Sequence, residues 1–388
     1  MDVRAEISRA IDGYKPTAVA VSHEIHQHPE LKFEEKFAAG LLTKTVGELG
    51  VKVETEVGGL KTAFRAEIGK EGPTVAILAE YDALPNGHSC GHNLIAGAAL
   101  SAFAGLKSVA EKLPGRIILL GTPAEEGGGG KIILLERGAM KGVDAAMMAH
   151  PTDAEWSTMP ALATRHLEIT FHGRASHAAL APWEGASALA ALIQTFQSVD
   201  AARLQWKDGT RVHGFITNGG QAVNIIPEKT ECQFLARAKS SAYADQMAER
   251  IVRCAEGAAL ATGTTASHRV LGGYKNMINN LAIAGRYSSH TDSLGVRSLQ
   301  APPDLPTGST DMGDVSHAMP AIHPVFAASK HGEGAPHEDA FVKHADSPHA
   351  YDAMIRVAKA MALTAYDLLA EPALMKQAKD EFNARRES

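Results

Sequence analysis

Cysteine is scarce in this chain: Cys90, Cys232 and Cys254 are the only three among 388 residues. So odd and sparse a set speaks against a disulfide framework and fits a reducing cytoplasm. No apolar run approaches the ~20 residues needed to cross a bilayer, so no membrane partner is expected. Long Lys/Arg blocks are also missing, and 38 basic against 44 acidic side chains give a formal net charge of −6. Without a basic track for phosphates, nucleic acid is not an expected partner. The opening residues MDVRAEISRAIDGYKP carry acids early and lack a basic start followed by an apolar core, so no signal peptide is expected. Repeats and low-complexity tracts are absent too.

What is present is an ordinary mixture, 45% hydrophobic and 21% charged, at a length that implies two domains or one large one. Apolar spacing is helical from residue 14 to about 49, with a break at His28-Pro29. Buried-strand patterns (TVAILAEYD, GRIILLGTP, VDAAMMAHP) then alternate with helical stretches at 93–112 and GKIILLERG, as in an α/β layer with a mostly parallel sheet. Near residue 162 the pattern changes to period-two strands (TRHLEITFHG, RVHGFITNGG, KTECQFLARAK, then ASHRVL) with helices at about 184–204 and 241–261. After about residue 275 the α/β character returns, with AIHPVFAAS as a strand and 347–370 as a closing helix. The expected fold is therefore an α/β catalytic domain, 1–161 and 276–388, interrupted by a smaller α+β lid or dimerisation domain, 162–275.

Chemistry-bearing residues recur at the ends of the expected parallel strands, where open α/β sheets place their sites. TVAILA runs into Glu80, Asp82 and then NGHSCGHNL, with Cys90 between His88 and His92. RIILLGTPA runs into Glu125-Glu126, DAAMMA ends at His150-Pro151, and HPVFAAS leads to His331 and His337. Cysteine, histidine and glutamate are the ligand types of zinc and similar divalent metals. An acidic pair can supply one ligand and one general base. Singly each feature has a bland reading as turn, surface pair or small hydrophobe; their coincidence points to a site. EEGGGGKI is no phosphate loop, because Glu125 stands where the first glycine belongs and Ile132 where Ser or Thr should follow the lysine. A Cys90–His nucleophile pair leaves the Glu pair and His150 without a role.

At these residues the chain resembles the aminoacylase/carboxypeptidase family of dinuclear metallo-amidohydrolases. Within it, the chain looks most like the branch with aminobenzoyl-glutamate hydrolase and related dipeptidases. HEIHQHPELKFEE, AEYDALPNGHSCGHNL, GTPAEEGGGGK, MMAHP, GRASHAALAPWEGASAL, NGGQAVNIIPE, GSTDMGDVS and GAPHEDAF carry the likeness. The resemblance implies Cys90, His92, Glu126, His150 and His337 as metal ligands, with Asp82 orienting one of them or capping a loop. Many relatives begin the first motif with His-x-Asp or Asp-x-Asp; here it is Glu80-Tyr-Asp82, and Glu80 is expected to orient a neighbour.

The implied cofactors are two divalent ions per chain, zinc or manganese with cobalt possible, and the implied substrate is a small-molecule amide. Glu125 would be the general base. His177, from the lid of a partner subunit in a homodimer, would steady the carbonyl oxygen. Asn224, Arg237 and Asp311 are candidate substrate contacts; a strand-face salt bridge or a helix cap accounts for Arg237 and Asp311 equally well. The expected reaction is hydrolysis of an N-acyl or N-aroyl amino acid. A dipeptidase acting on a free-amine dipeptide is a second reading, and a metal-stabilised binding protein without turnover is a third. Retention of Glu125 argues against the third, since a structural site needs no base.

Overall fold

Thr74–Ala79 is buried at every position, as a strand covered on both faces must be. In the computed structural model, which describes residues 2–302, 305 and 307–386 (only the backbone at 386), this strand lies inside a six-stranded sheet. The order is Val53–Thr55, Phe64–Gly69, Arg116–Gly121, Thr74–Ala79, Ala145–Met147, Ala321–Ile322. The last four strands run parallel, and the first two form an antiparallel edge. Register pairs Ala79 with Gly121 and Ile77 with Met147, which brings three carboxyl ends to one margin. The helix His92–Lys107, buried from His92 to Leu106, packs between this sheet and the helices Val3–Gln27 and Pro348–Ala370. The expected α/β class with a mainly parallel sheet is what the chain forms.

Three local expectations need correction. The first helix starts at Val3, not near residue 14, capped by the Asp2 side chain and running through Pro16. Ile7, Ile11, Ala18, Val21 and Ile25 all sit on its buried face, so the stripe continues across the proline. AIHPVFAAS is not one strand: Ala321–Ile322 joins the main sheet and Val325–Ala327 a smaller one with His150–Thr152, Trp156–Thr158 and Leu299–Gln300. Pro324 lacks the N–H a continuous ladder requires. The helix Pro348–Ala370 does not close the chain, because Pro372–Arg386 is helical as well.

Chain contacts divide the protein into two compact units, the second being Ala161–Asn276 with a short segment ending at Gly313. Its sheet is antiparallel throughout, ordered Thr265–Gly272, Ala163–His172, Lys229–Ala238, Arg211–Asn218. Leu167, Ile169, Phe171, Phe234 and Ala236 point into a core shared with the helices Ala188–Ala202 and Ser241–Thr262. Period-two alternation produces this one-sided burial. Among the described residues no helix is long and apolar enough to cross a membrane.

Candidate active site

The stretch NGHSCGHNL forms a tight loop between the end of strand Thr74–Ala79 and the helix His92–Lys107. Gly91 makes the turn possible: it sits at φ +74°, and a Cβ there would lie 2.7 Å from Pro151 Cγ and 3.0 Å from Phe341 Cε1. Only glycine accepts that backbone with walls so close. Cys90 and His92, on either side of it, are 5% and 0% exposed. The Ser89 carbonyl accepts the His337 N–H at 2.8 Å, which ties the loop carrying His337 to the same place.

The structure brings the five expected ligands together. Ligand atoms of Cys90, His92 and His150 lie within 4.8 Å of one another, and so do those of Cys90, Glu126 and His337. Cys90 is common to both groups. His150 Nε2 is 3.4 Å from Cys90 Sγ, while its Nδ1–H donates to the Pro151 carbonyl at 2.7 Å. That backbone bond fixes the tautomer and leaves Nε2 free to coordinate. His337 Nε2 stands 3.4 Å from Glu126 Oε1. His88 is buried and stacked on His26, and it belongs to neither group. His331 is solvent-exposed beside Asp153.

Asp82 links the two sides. Its Oδ1 is 3.0 Å from His92 Nδ1, and its Oδ2 accepts the Glu126 N–H at 3.0 Å. Glu125 is 8% exposed, and its carboxylate shares a group with His92 and Glu126 whose atoms again lie within 4.8 Å. The turn that aims both glutamates begins at Ala124, a non-glycine residue at φ +61°. Glu80 is fully buried and salt-bridged to an equally buried Lys131. Its other oxygen, Oε2, lies 3.5 Å from His92 Nε2, and neither atom makes a hydrogen bond.

Comparison with known proteins settles the family. A model of peptidase family M20/M25/M40 matches residues 76–360. The chain belongs to this family. An Xaa-Arg dipeptidase of Mus musculus is 39% identical over 384 residues, covering 94% of this chain and 89% of the relative. One of the subunits of p-aminobenzoyl-glutamate hydrolase from Escherichia coli (strain K12) is 29% identical, covering 97% and 94%. Among solved structures, an aminobenzoyl-glutamate utilization protein from Klebsiella pneumoniae superposes with TM-score 0.74 at 18% identity, covering 94% of this chain and 99% of that one. A dinuclear metal-binding M20 peptidase from Bacillus subtilis does so with TM-score 0.66 at 20% identity, covering 89% and 98%. The protein is thus an M20 hydrolase acting on amide or peptide bonds, as its named relatives are.

Donor chemistry in this M20 chain fits divalent cations. Burial pushes the Cys90 thiol well up, so an adjacent cation is needed to hold it as a thiolate. Burial lowers His150 to about 3, with His92 adding to the effect, and keeps it a neutral imidazole. His92 goes the other way. Burial works against its charge, but Cys90, Asp82 and Glu80 together raise it well above the usual range. Carboxylates 3.0 and 3.5 Å from its two ring nitrogens give His92 surroundings that favour a nearby positive charge, a divalent ion included. Beside His337 the Glu126 carboxylate is the main cause of an upward shift.

Residues expected to touch substrate fall in the second unit. His177 is exposed on a loop, where the Ala179 and Leu180 N–H groups donate to Nδ1 at 3.2 and 3.3 Å. Its proton therefore sits on Nε2, turned away from its own backbone. Asn224 lies on an exposed loop after Asn218; its carbonyl accepts the Ala178 N–H at 3.0 Å, beside His177. Arg237 is at the far end of the ten-residue strand Lys229–Ala238, about 30 Å along. There its Nη1 donates to Ser309 Oγ at 2.9 Å, so Arg237 groups with the segment holding buried Asp311 and not with Asn224.

Three residues escaped the sequence reading. Lys131 was visible only as part of a failed phosphate loop, though its neighbours Gly130 and Leu134 share the helix's buried face. His323 is 3% exposed, its ring edge-on to His150 at 5.8 Å, but a histidine inside a strand pattern carries no signal of that contact. Glu35, in HEIHQHPELKFEE, is fully buried beside the glutamate turn. Its burial was the missing signal, since an acidic pair before a helix reads as a solvated start.

Proposed function

We propose that this M20 enzyme uses two divalent ions to hydrolyse the amide bond that joins an acyl or aminoacyl group to an amino acid. The observation that carries the reading is the convergence of Cys90, His92, His150, Glu126 and His337 around a shared thiol, with Glu125 beside them. Bound divalent ions would supply Lewis acidity, polarising the carbonyl and lowering the pKa of water. Asp82 keeps His92 Nδ1 and the Glu126 backbone in place for that binding. Glu125 takes the proton from the attacking water and returns it to the leaving nitrogen. His177, with its proton on Nε2, donates to the carbonyl oxygen as charge develops there. Asn224, Arg237 and Asp311 are the proposed contacts to the remainder of the substrate.

Two readings of the acyl side stand. The motifs and the aminobenzoyl-glutamate hydrolase relative support an N-acyl or N-aroyl amino acid. Higher identity to an Xaa-Arg dipeptidase supports a dipeptide. Turnover of metal-loaded protein on acyl-glutamates, acyl-aspartates and dipeptides ending in arginine separates them. Hydrolysis of none of these substrates by a sample holding two ions per chain would defeat both.

A homodimer is part of the proposal. In the second unit's sheet the strand Arg211–Asn218 is an edge, with Phe215 60% and Ile216 46% exposed, and Trp183 and Val223 are exposed on the loops near His177. Unpaired edges and apolar patches of this kind invite a second copy. Free thiols at all three cysteines accord with the proposed cytoplasmic location.

A further inference from the structure

The loop His28–Glu35 ends in a carboxylate with no role in the reaction described so far. Glu35 is fully buried, and its Oε1 accepts two backbone N–H groups, from Phe33 at 2.8 Å and from Ala124 at 2.9 Å. Both donors belong to non-glycine residues in the left-handed region, Phe33 at φ +65° and Ala124 at φ +61°. Few residues adopt that backbone unless their surroundings hold them in it. The other oxygen, Oε2, accepts the Thr62 hydroxyl at 2.8 Å, which fixes the carboxylate's rotation. Ala124 immediately precedes Glu125 and Glu126.

Two more contacts tie this loop to the site. The Phe33 ring lies over Gly128, where a Cβ would come 2.9 Å from Phe33 Cε2. On the other side the Ala83 N–H donates to the Glu30 carbonyl at 2.8 Å, one residue after Asp82. The loop therefore braces both acidic segments of the centre, and Glu35 is where the glutamate turn is held.

We infer that Glu35 is a positioning residue for Glu125: its Oε1 clamps the Ala124 N–H, holding the left-handed turn that aims the Glu125 carboxylate. The inference rests on the reading of Glu125 as the base. Without the acceptor, Ala124 loses the bond that holds φ positive, and the turn relaxes toward ordinary backbone. Glu125 then samples orientations from which it reaches the water poorly. Ligation suffers less, because Glu126 keeps a second restraint through its N–H to Asp82.

Glu35→Ala and Glu35→Gln test this in the full-length, metal-loaded protein. Glutamine keeps an oxygen for the two backbone donors and turns its amide toward the Thr62 hydroxyl, which can accept. Expected for Glu35→Ala is a kcat lower by about 10–100-fold, a KM within about twofold and an unchanged metal content, with Glu35→Gln near wild type. Hydrogen exchange at the Ala124 amide should accelerate in Glu35→Ala while the amides of Thr74–Ala79 keep their protection. Wild-type kcat and unchanged Ala124 exchange in Glu35→Ala would overturn the inference. So would a Glu35→Gln variant as impaired as Glu35→Ala, since charge and not the acceptor would then matter. If Glu35→Ala does not fold, Glu35→Asp carries the same readouts, being one methylene short of Ala124 while still acidic. Glu125→Gln is assayed in parallel. Activity in that variant would remove the base assignment, while exchange at Ala124 would still decide whether Glu35 holds the turn.

Discussion

At the residue scale, two neighbours of like chemistry are given different surroundings by their backbone. Glu126 donates its N–H to Asp82 and presents its carboxylate to His337, whereas Glu125 sits beside His92 and Glu126. Glu125→Gln preserves size and removes the proton acceptor. Its kcat should fall by about 10²–10⁴-fold while elemental analysis still finds two ions per chain; near-normal turnover with both metals present would refute the mechanism. Cys90→Ser exchanges a soft thiolate for a poor ligand at the one position shared by both donor groups. Metal content should drop in that variant, and unchanged stoichiometry would remove Cys90 from the ligand set. The thiol's location was legible in NGHSCGHNL; that it belongs to both groups was not, because sharing depends on where His150 and His337 arrive.

At the scale of elements, the site depends on how one helix begins. Gly91→Ala puts a Cβ against Pro151 and Phe341 on a backbone at φ +74°. Overpacking of this kind costs about 1–3 kcal/mol, so the denaturation midpoint should fall, and metal affinity with it as Cys90 and His92 part. Full stability and metal content in the variant would show that the wall yields. A second junction lies away from the chemistry, where Asp367 joins three helices. Its Oδ1 accepts from Arg4 Nε at 2.8 Å, and its Oδ2 accepts from Arg286 Nη1 at 2.6 Å and faces His290 Nε2 at 2.8 Å. Burial opposes the charge, but His290, Arg286 and Arg4 outweigh it and hold the carboxyl below the usual aspartate range. A folded-state value below the unfolded one, about 3.9, gives stability that is present above that pH and lost as pH falls through the folded value. Asp367→Asn should therefore be less stable at pH 7 and lose less stability than wild type between about pH 5 and 2. Parallel acid-unfolding curves of equal slope would refute the assignment. None of this junction was foreseen, since Arg4, Arg286 and Asp367 are remote in sequence.

At the scale of the whole molecule, the proposed dimer makes the strongest demand. His177 is exposed and carries its proton on Nε2, so it has a donor to offer another chain. Loss of such a donor typically costs ~10²–10³ in rate. His177→Ala and Glu125→Gln should each be nearly inactive alone. Mixed in equal amounts and allowed to exchange partners, they should recover about a quarter of wild-type activity, because half the dimers are mixed and each mixed dimer has one intact site. Demonstrated exchange without recovery would confine His177 to its own chain or to no role at all.

The α/β class, the change to an alternating second unit and the residue types at each strand end were all legible in the chain's sequence. Those features follow from local periodicity and residue type, which act over a few neighbours. The rest depends on long-range packing. It placed Arg237 with Ser309 and away from Asn224, because a strand's length and not its sequence separates its ends. It paired Lys131 with Glu80, a burial that costs too much unless both partners arrive together. And it set Glu35 against Ala124, 89 positions along the chain, since a left-handed alanine is tolerable only where another segment supplies its acceptor.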